Sequence, residues 1–128
     1  DGGPSVGFAS LTTTNAALRE VAGWAARVNG SLCGDSSFGL WSFDSWSLRA
    51  LDRFASFGEP NDGAVAVAGC LPAGAPAERS HDSPHYTAAV NHFDTTCRHG
   101  DGSLLWMSGD DRRPCAWYEG RVRSVVMG

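Results

Sequence analysis

The apolar positions divide this chain into a first half with helical spacing and a second half that alternates like strands. From Thr14 or Asn15, either of them a good N-cap, Leu18, Val21, Ala25 and Val28 recur on one helical face, with Trp24 beside the stripe. Gly30 stops that helix and Cys33 follows at its end. Leu48, Leu51, Phe54 and Ala55 predict a second helix, starting near Ser45 or Ser47 and running to Phe57. Gly58-Glu-Pro-Asn-Asp-Gly63 then breaks the chain. Ala64–Ala68 alternates small and branched residues, which reads as a short strand, and Leu71–Ser83, with Pro72, Gly74 and Pro76, reads as a loop. Three further strands are expected over Tyr86–His92, Ser103–Met107 and Ala116–Met127, the last broken at Gly120. Turns over Arg98–Gly102 and Ser108–Asp111 separate them. Residues 1–13, with Gly2, Gly3, Pro4 and Gly7, form an irregular arm. Helices followed by an antiparallel meander make an α+β chain.

One segment does not fit either period. Between Gly34 and Leu51 charges are few, while Phe38, Leu40, Trp41, Phe43 and Trp46 crowd together. Such a segment either plugs into the core as a satellite cluster or presents an apolar surface to a ligand or partner. These side chains cannot all point inward, so Trp41 or Trp46 is expected to be partly exposed, beside a cleft marked by His85.

Length and composition narrow the class. The 128 residues fit a single domain spanning 1–128, near the size at which covalent staples still help. A net charge of −4 argues against nucleic acid or an anionic membrane as the main partner. All the cationic side chains are arginine, which reads as coding bias and carries no chemistry. Cys33, Cys70, Cys97 and Cys115 contain no Cys-x-x-Cys or Cys-x-x-His pair, so two disulfides in an oxidising compartment are expected rather than a zinc finger. Cys97 and Cys115 flank a strand and its return turn, which pairs them and leaves Cys33 for Cys70. The sequon Asn29-Gly30-Ser31 and the start at Asp1-Gly-Gly-Pro, without a basic, apolar leader, both suit a processed, secreted glycoprotein. No run of about 18 apolar residues is present to span a membrane.

His81, Asp82, His85, His92, Asp94 and His99 fall within one short stretch. A metal site or a histidine-based hydrolase using His81, His85, His92 and Asp94 is one reading, since an aspartate can orient an imidazole. Half-exposed rings on a loop and strand is the other. On a regular strand His85 and His92 would face opposite sides, which breaks a simple constellation. No Gly-x-Ser-x-Gly elbow or EF-hand spacing occurs.

The run Ser83-Pro-His-Tyr-Thr-Ala-Ala-Val90 resembles the signature of the CAP superfamily (cysteine-rich secretory proteins, antigen 5 and plant pathogenesis-related 1 proteins), usually GHYTQVVW. His85, Tyr86, Thr87 and Val90 match, while Pro84, Ala88 and Asn91 replace the glycine, glutamine and tryptophan. The resemblance implies a three-layer α-β-α sandwich around a short antiparallel sheet. It also implies a non-enzymatic role, with His85, Tyr86, Trp41, Trp46 and Phe38 binding a sterol, a fatty acid or a protein partner in a host–microbe or defence setting. Many members hold a divalent metal between two histidines and two glutamates. Of these ligands only His85 carries over, the glutamate positions falling at Gly39-Leu40 and near Phe54, so no metal and no cofactor are expected.

Overall fold

The computed structural model describes residues 27–102, 111–123 and 126. The expected arm, the first helix up to residue 26 and the Ser103–Met107 strand lie outside these residues. In chain order the elements are β1 (Ser31–Gly34), α1 (Phe43–Ala55), α2 (Val67–Cys70), β2 (His85–Ala88), a 3-10 turn (Asp94–Thr96) and α3 (Pro114–Tyr118), which runs on as a π-type turn over Glu119–Arg123.

The two strands pair in parallel, Ser31 opposite His85 and Gly34 opposite Ala88. On the other side of β2, Glu78 forms a single parallel bridge to Tyr86: its N–H donates to the His85 carbonyl and its carbonyl accepts from Thr87. Both edges of β2 are therefore occupied, and its side chains build the core: Tyr86, Ala88 and nearby Val90 pack with Trp117 of α3, against Leu32, Leu40 and Val122. Two polar tips inside this core are satisfied. The Tyr86 hydroxyl donates to the Asp111 carbonyl (2.6 Å) and accepts from the Arg113 N–H (2.9 Å), and the Trp117 indole donates to the Ser83 carbonyl (2.9 Å). Burial pushes the Tyr86 phenol up to about 12, the Arg113 N–H acting in the opposite direction.

This architecture overturns the sandwich. Among the described residues the sheet is two-stranded and parallel, not antiparallel, and with so few helices beside it the elements do not make a three-layer sandwich. Side-chain bonds to the backbone explain why the expected strands are short or missing. Val90 turns back to the Ala88 carbonyl, and Asn91 Oδ1 then accepts from the N–H groups of Phe93 and Asp94, so β2 ends before His92. Asp62 Oδ1 captures the N–H groups of Ala64 and Val65, and the chain coils into α2 where alternation had suggested a strand. Pro114 at the first helical position opens α3, which runs into the supposed last strand.

Both disulfides form, Cys33–Cys70 and Cys97–Cys115. The first ties β1 to the end of α2, and the second ties the 3-10 turn to α3. No helix of the described residues is long and apolar enough to cross a membrane.

Candidate functional site

Helix α1 starts at Phe43, two residues before the earlier of its expected starts, because Ser42 and Ser45 form a reciprocal capping box. Ser45 N–H donates to the Ser42 hydroxyl (3.2 Å) and Ser42 N–H to the Ser45 hydroxyl (3.1 Å). Ser56 closes the helix in the left-handed conformation, its N–H returning to the Asp52 carbonyl.

What sits on the inner side of α1 is unusual. Only Ser45 and Leu48 are buried, and Asp52 is half-buried beside them. The Ser45 hydroxyl donates to the Leu40 carbonyl (2.5 Å). Asp52 accepts from the Ser37 hydroxyl and from the Asn61 amide, both at 2.9 Å. Leu48 lies against the backbone of Gly63, where a Cβ would come within 2.8 Å of its own Cβ. At about 100° per residue, Ser45, Leu48, Asp52 and Ala55 share one side of the helix, and Phe43, Trp46, Ala50 and Phe54 lie within about 80° on the opposite side. The aromatic side faces solvent: Phe43 is 89 %, Trp46 59 % and Phe54 91 % exposed, and Trp41, just before the helix, is 83 % exposed. The helix is anchored by hydrogen bonds on its inner side and presents its apolar side outward.

Phe38 links this surface to a neighbouring cleft. Its ring meets Trp41 and Trp46 edge-on at 6.2 and 5.5 Å between centroids, with the Arg49 guanidinium 5.9 Å above it. The cleft, of about 420 Å³, is lined by Phe38, Arg49, Asp52, Arg53, Asn61 and the Asp35–Ser37 segment. Asp35 is paired with Arg79 at 2.5 Å, and Asp52 is held by Ser37 and Asn61. Among the described residues no ion pair engages Arg49 or Arg53, which stand on one flank of the aromatic face. His85 does not line the cleft.

The loop that presents Phe38 is held by a buried polar knot. Asn91 Nδ2 donates to the Phe38 carbonyl (3.0 Å). Asp94, fully buried, accepts from Leu40 N–H (2.8 Å) and Asn91 N–H (2.9 Å) on one oxygen, and its other oxygen meets His99 Nδ1 at 2.8 Å. Gly39 adopts φ +60° here, and a Cβ would strike both Asn91 N and the Asp94 carboxylate. His99 Nε2 reaches Asp44 in the first turn of α1 (3.3 Å), which joins the knot to the helix.

The histidines do not converge. His81 meets Asp111 at 2.5 Å, His92 meets Asp62 at 2.8 Å, His99 bridges Asp94 and Asp44, and His85 contacts the Ser31 hydroxyl at 3.1 Å. The bond to Asp62 raises the pKa of His92 above its ordinary value, with burial opposing. Among the described residues no group of three or more His, Cys, Asp or Glu side chains could hold a metal ion. Of the expected binding residues, Phe38, Trp41 and Trp46 come together, whereas Tyr86 is buried in the core and His85 stands on β2. Arg49, Arg53 and the outward Phe43 and Phe54 complete the surface. An arginine at each four-residue step beside an aromatic-rich helix was the available signal for them.

Compared with protein-family models, curated proteins and solved structures, the chain matches none.

Proposed function

We propose that this chain is a secreted, non-enzymatic binding domain that engages a hydrophobic partner surface through the outward side of α1. One observation carries the reading: a short helix turns Ser45 and Asp52 inward and Phe43, Trp46 and Phe54 outward. A helix serving only the fold buries its apolar stripe, and a contiguous aromatic patch on a small domain marks an interaction site. Two disulfides suit an oxidising compartment. The cleft beside the patch carries charged walls, which suits the polar end of a ligand rather than the whole of a sterol. The histidines support a structural role: His81, His92 and His99 are each bonded to an aspartate, and His85, which meets the Ser31 hydroxyl, has no carboxylate paired with its ring among the described residues.

Anilinonaphthalene sulfonate, an aromatic anion, tests the reading. It should bind the native chain saturably, its rings against Trp46 and Phe38 and its sulfonate toward Arg49 and Arg53. The W41S/W46S variant should lose that binding while melting within about 2 °C of the parent, as surface changes do. Retained binding, or a melting loss as large as that of a core substitution, would refute the proposal.

A further inference from the structure

The partner class can be argued further on the premise that the outward side of α1 is a binding face. We propose that this face docks on a zwitterionic phospholipid surface, with Trp41, Phe43 and Phe54 entering the headgroup region and Arg49 and Arg53 taking lipid phosphates.

Several features of the chain lead there. Protein hot spots are aromatics that fill complementary pockets, but here the aromatics stand proud of the surface and the adjoining concavity has charged walls. A bilayer interface asks for no matching shape. The geometry also suits a helix lying flat: Phe43 and Phe54 sit at opposite ends of α1, about 16 Å apart along its axis, and on the same side. Side chains so placed can enter the interface together, to the roughly 5–10 Å typical of such helices. Tryptophan and phenylalanine beside arginine are the residue types that favour headgroup depth, arginine stems lying along the apolar zone while their heads remain wet.

The remaining features concern charge and rigidity. Arg49 and Arg53 form no ion pair among the described residues, and guanidinium groups match phosphate oxygens bidentately. The net charge of −4 opposes approach to an anionic surface, so a zwitterionic one is selected. Ser45, Asp52 and the Asn91–Asp94 knot fix the helix and the Phe38 loop in advance, so little ordering is required on docking.

The test sediments the full chain with phosphatidylcholine vesicles, with phosphatidylglycerol vesicles, and in the presence of free phosphocholine. The parent should sediment with phosphatidylcholine, show a blue-shifted tryptophan emission, depend little on salt and be indifferent to free phosphocholine. W41S/F43S/F54S should lose roughly 100-fold or more in partitioning, and R49Q/R53Q roughly five-fold, as partly screened contacts do. A parent chain that stays in the supernatant overturns the proposal. So do unchanged partitioning of the triple variant, competition by free phosphocholine, and salt-reversible binding to phosphatidylglycerol alone. If the parent ignores vesicles but elutes as a dimer that the triple variant abolishes, the occupant is a second copy: lipid docking fails and the binding face stands. If the triple variant melts far below the parent, the aromatics serve the fold and both readings fall.

Discussion

Substituting the two sides of α1 separately should have opposite consequences. Leu48 is 5 % exposed and packs against the Gly63 backbone, so Leu48→Ala removes buried methyl groups and leaves a void. Such changes destabilise by about 2–5 kcal/mol, and about 3 kcal/mol is reasonable for a helix at the surface that can partly collapse. Phe54 retains nine-tenths of its exposure. Of roughly 200 Å² of side-chain surface, folding removes only about 20 Å², worth about 0.5 kcal/mol. The better helix propensity of alanine returns a similar amount, so Phe54→Ala should be close to neutral. Thermal unfolding followed by circular dichroism, without reductant, reads both. At this chain length 1 kcal/mol corresponds to roughly 3–6 °C. Leu48→Ala should therefore lower the midpoint by roughly 10 °C or more and Phe54→Ala by less than about 2 °C. Equal losses for the two variants would mean that α1 buries its aromatic side, and the reasoning about its orientation would be wrong.

Three further outcomes follow from the polar interior. Asp94→Ala leaves the Leu40 and Asn91 N–H groups without their acceptor and should lower stability by about 2–4 kcal/mol in urea titration, whereas Asp101→Ala, which removes a single exposed bond to the Cys115 N–H, should cost about 1 kcal/mol. His92 is raised by its bond to Asp62, so the stability from that pair is fully present below about pH 6.5, the unfolded value, and is lost as pH rises through the folded one. The melting difference between parent and His92→Ala should accordingly be larger at pH 6 than at pH 8, and a difference that grows toward pH 8 would contradict the assignment. Alkaline difference spectroscopy should resolve Tyr86 as a phenol that ionises only near pH 12. Because burial favours its neutral form, its share of stability holds up to about pH 10 and is lost between there and pH 12.

The existence of α1 and the crowding of aromatics before it were legible from spacing and composition alone. Its orientation was not. The spacing of Leu48, Leu51, Phe54 and Ala55 predicts a helix but not which side it buries, and Leu51 and Phe54 are exposed. The competing anchors, Ser37 and Asn61 on Asp52 and the Leu40 carbonyl on Ser45, are pairings across loops that no periodicity reveals. The same cause undid the strands. Ala64–Ala68 alternates as a strand should, but the carboxylate of Asp62 binds the first two N–H groups, and α2 follows. The cysteine pairing was readable because widely spaced cysteines without metal-ligand motifs leave few alternatives. The parallel sheet was not readable, because its two strands are only four residues each and far apart in the chain.

The central claim is that α1 carries its aromatics outward as a binding face while Tyr86 and Trp117 form the core. Hydroxyl-radical footprinting of the full chain in solution, read residue by residue by mass spectrometry, tests it most directly. Trp41, Phe43 and Phe54 should label heavily, Trp46 to an intermediate degree, and Tyr86 and Trp117 scarcely at all, in line with their burial. Labelling of Phe54 and Trp41 as weak as that of Trp117 would place the aromatics inside the molecule and remove the proposed surface.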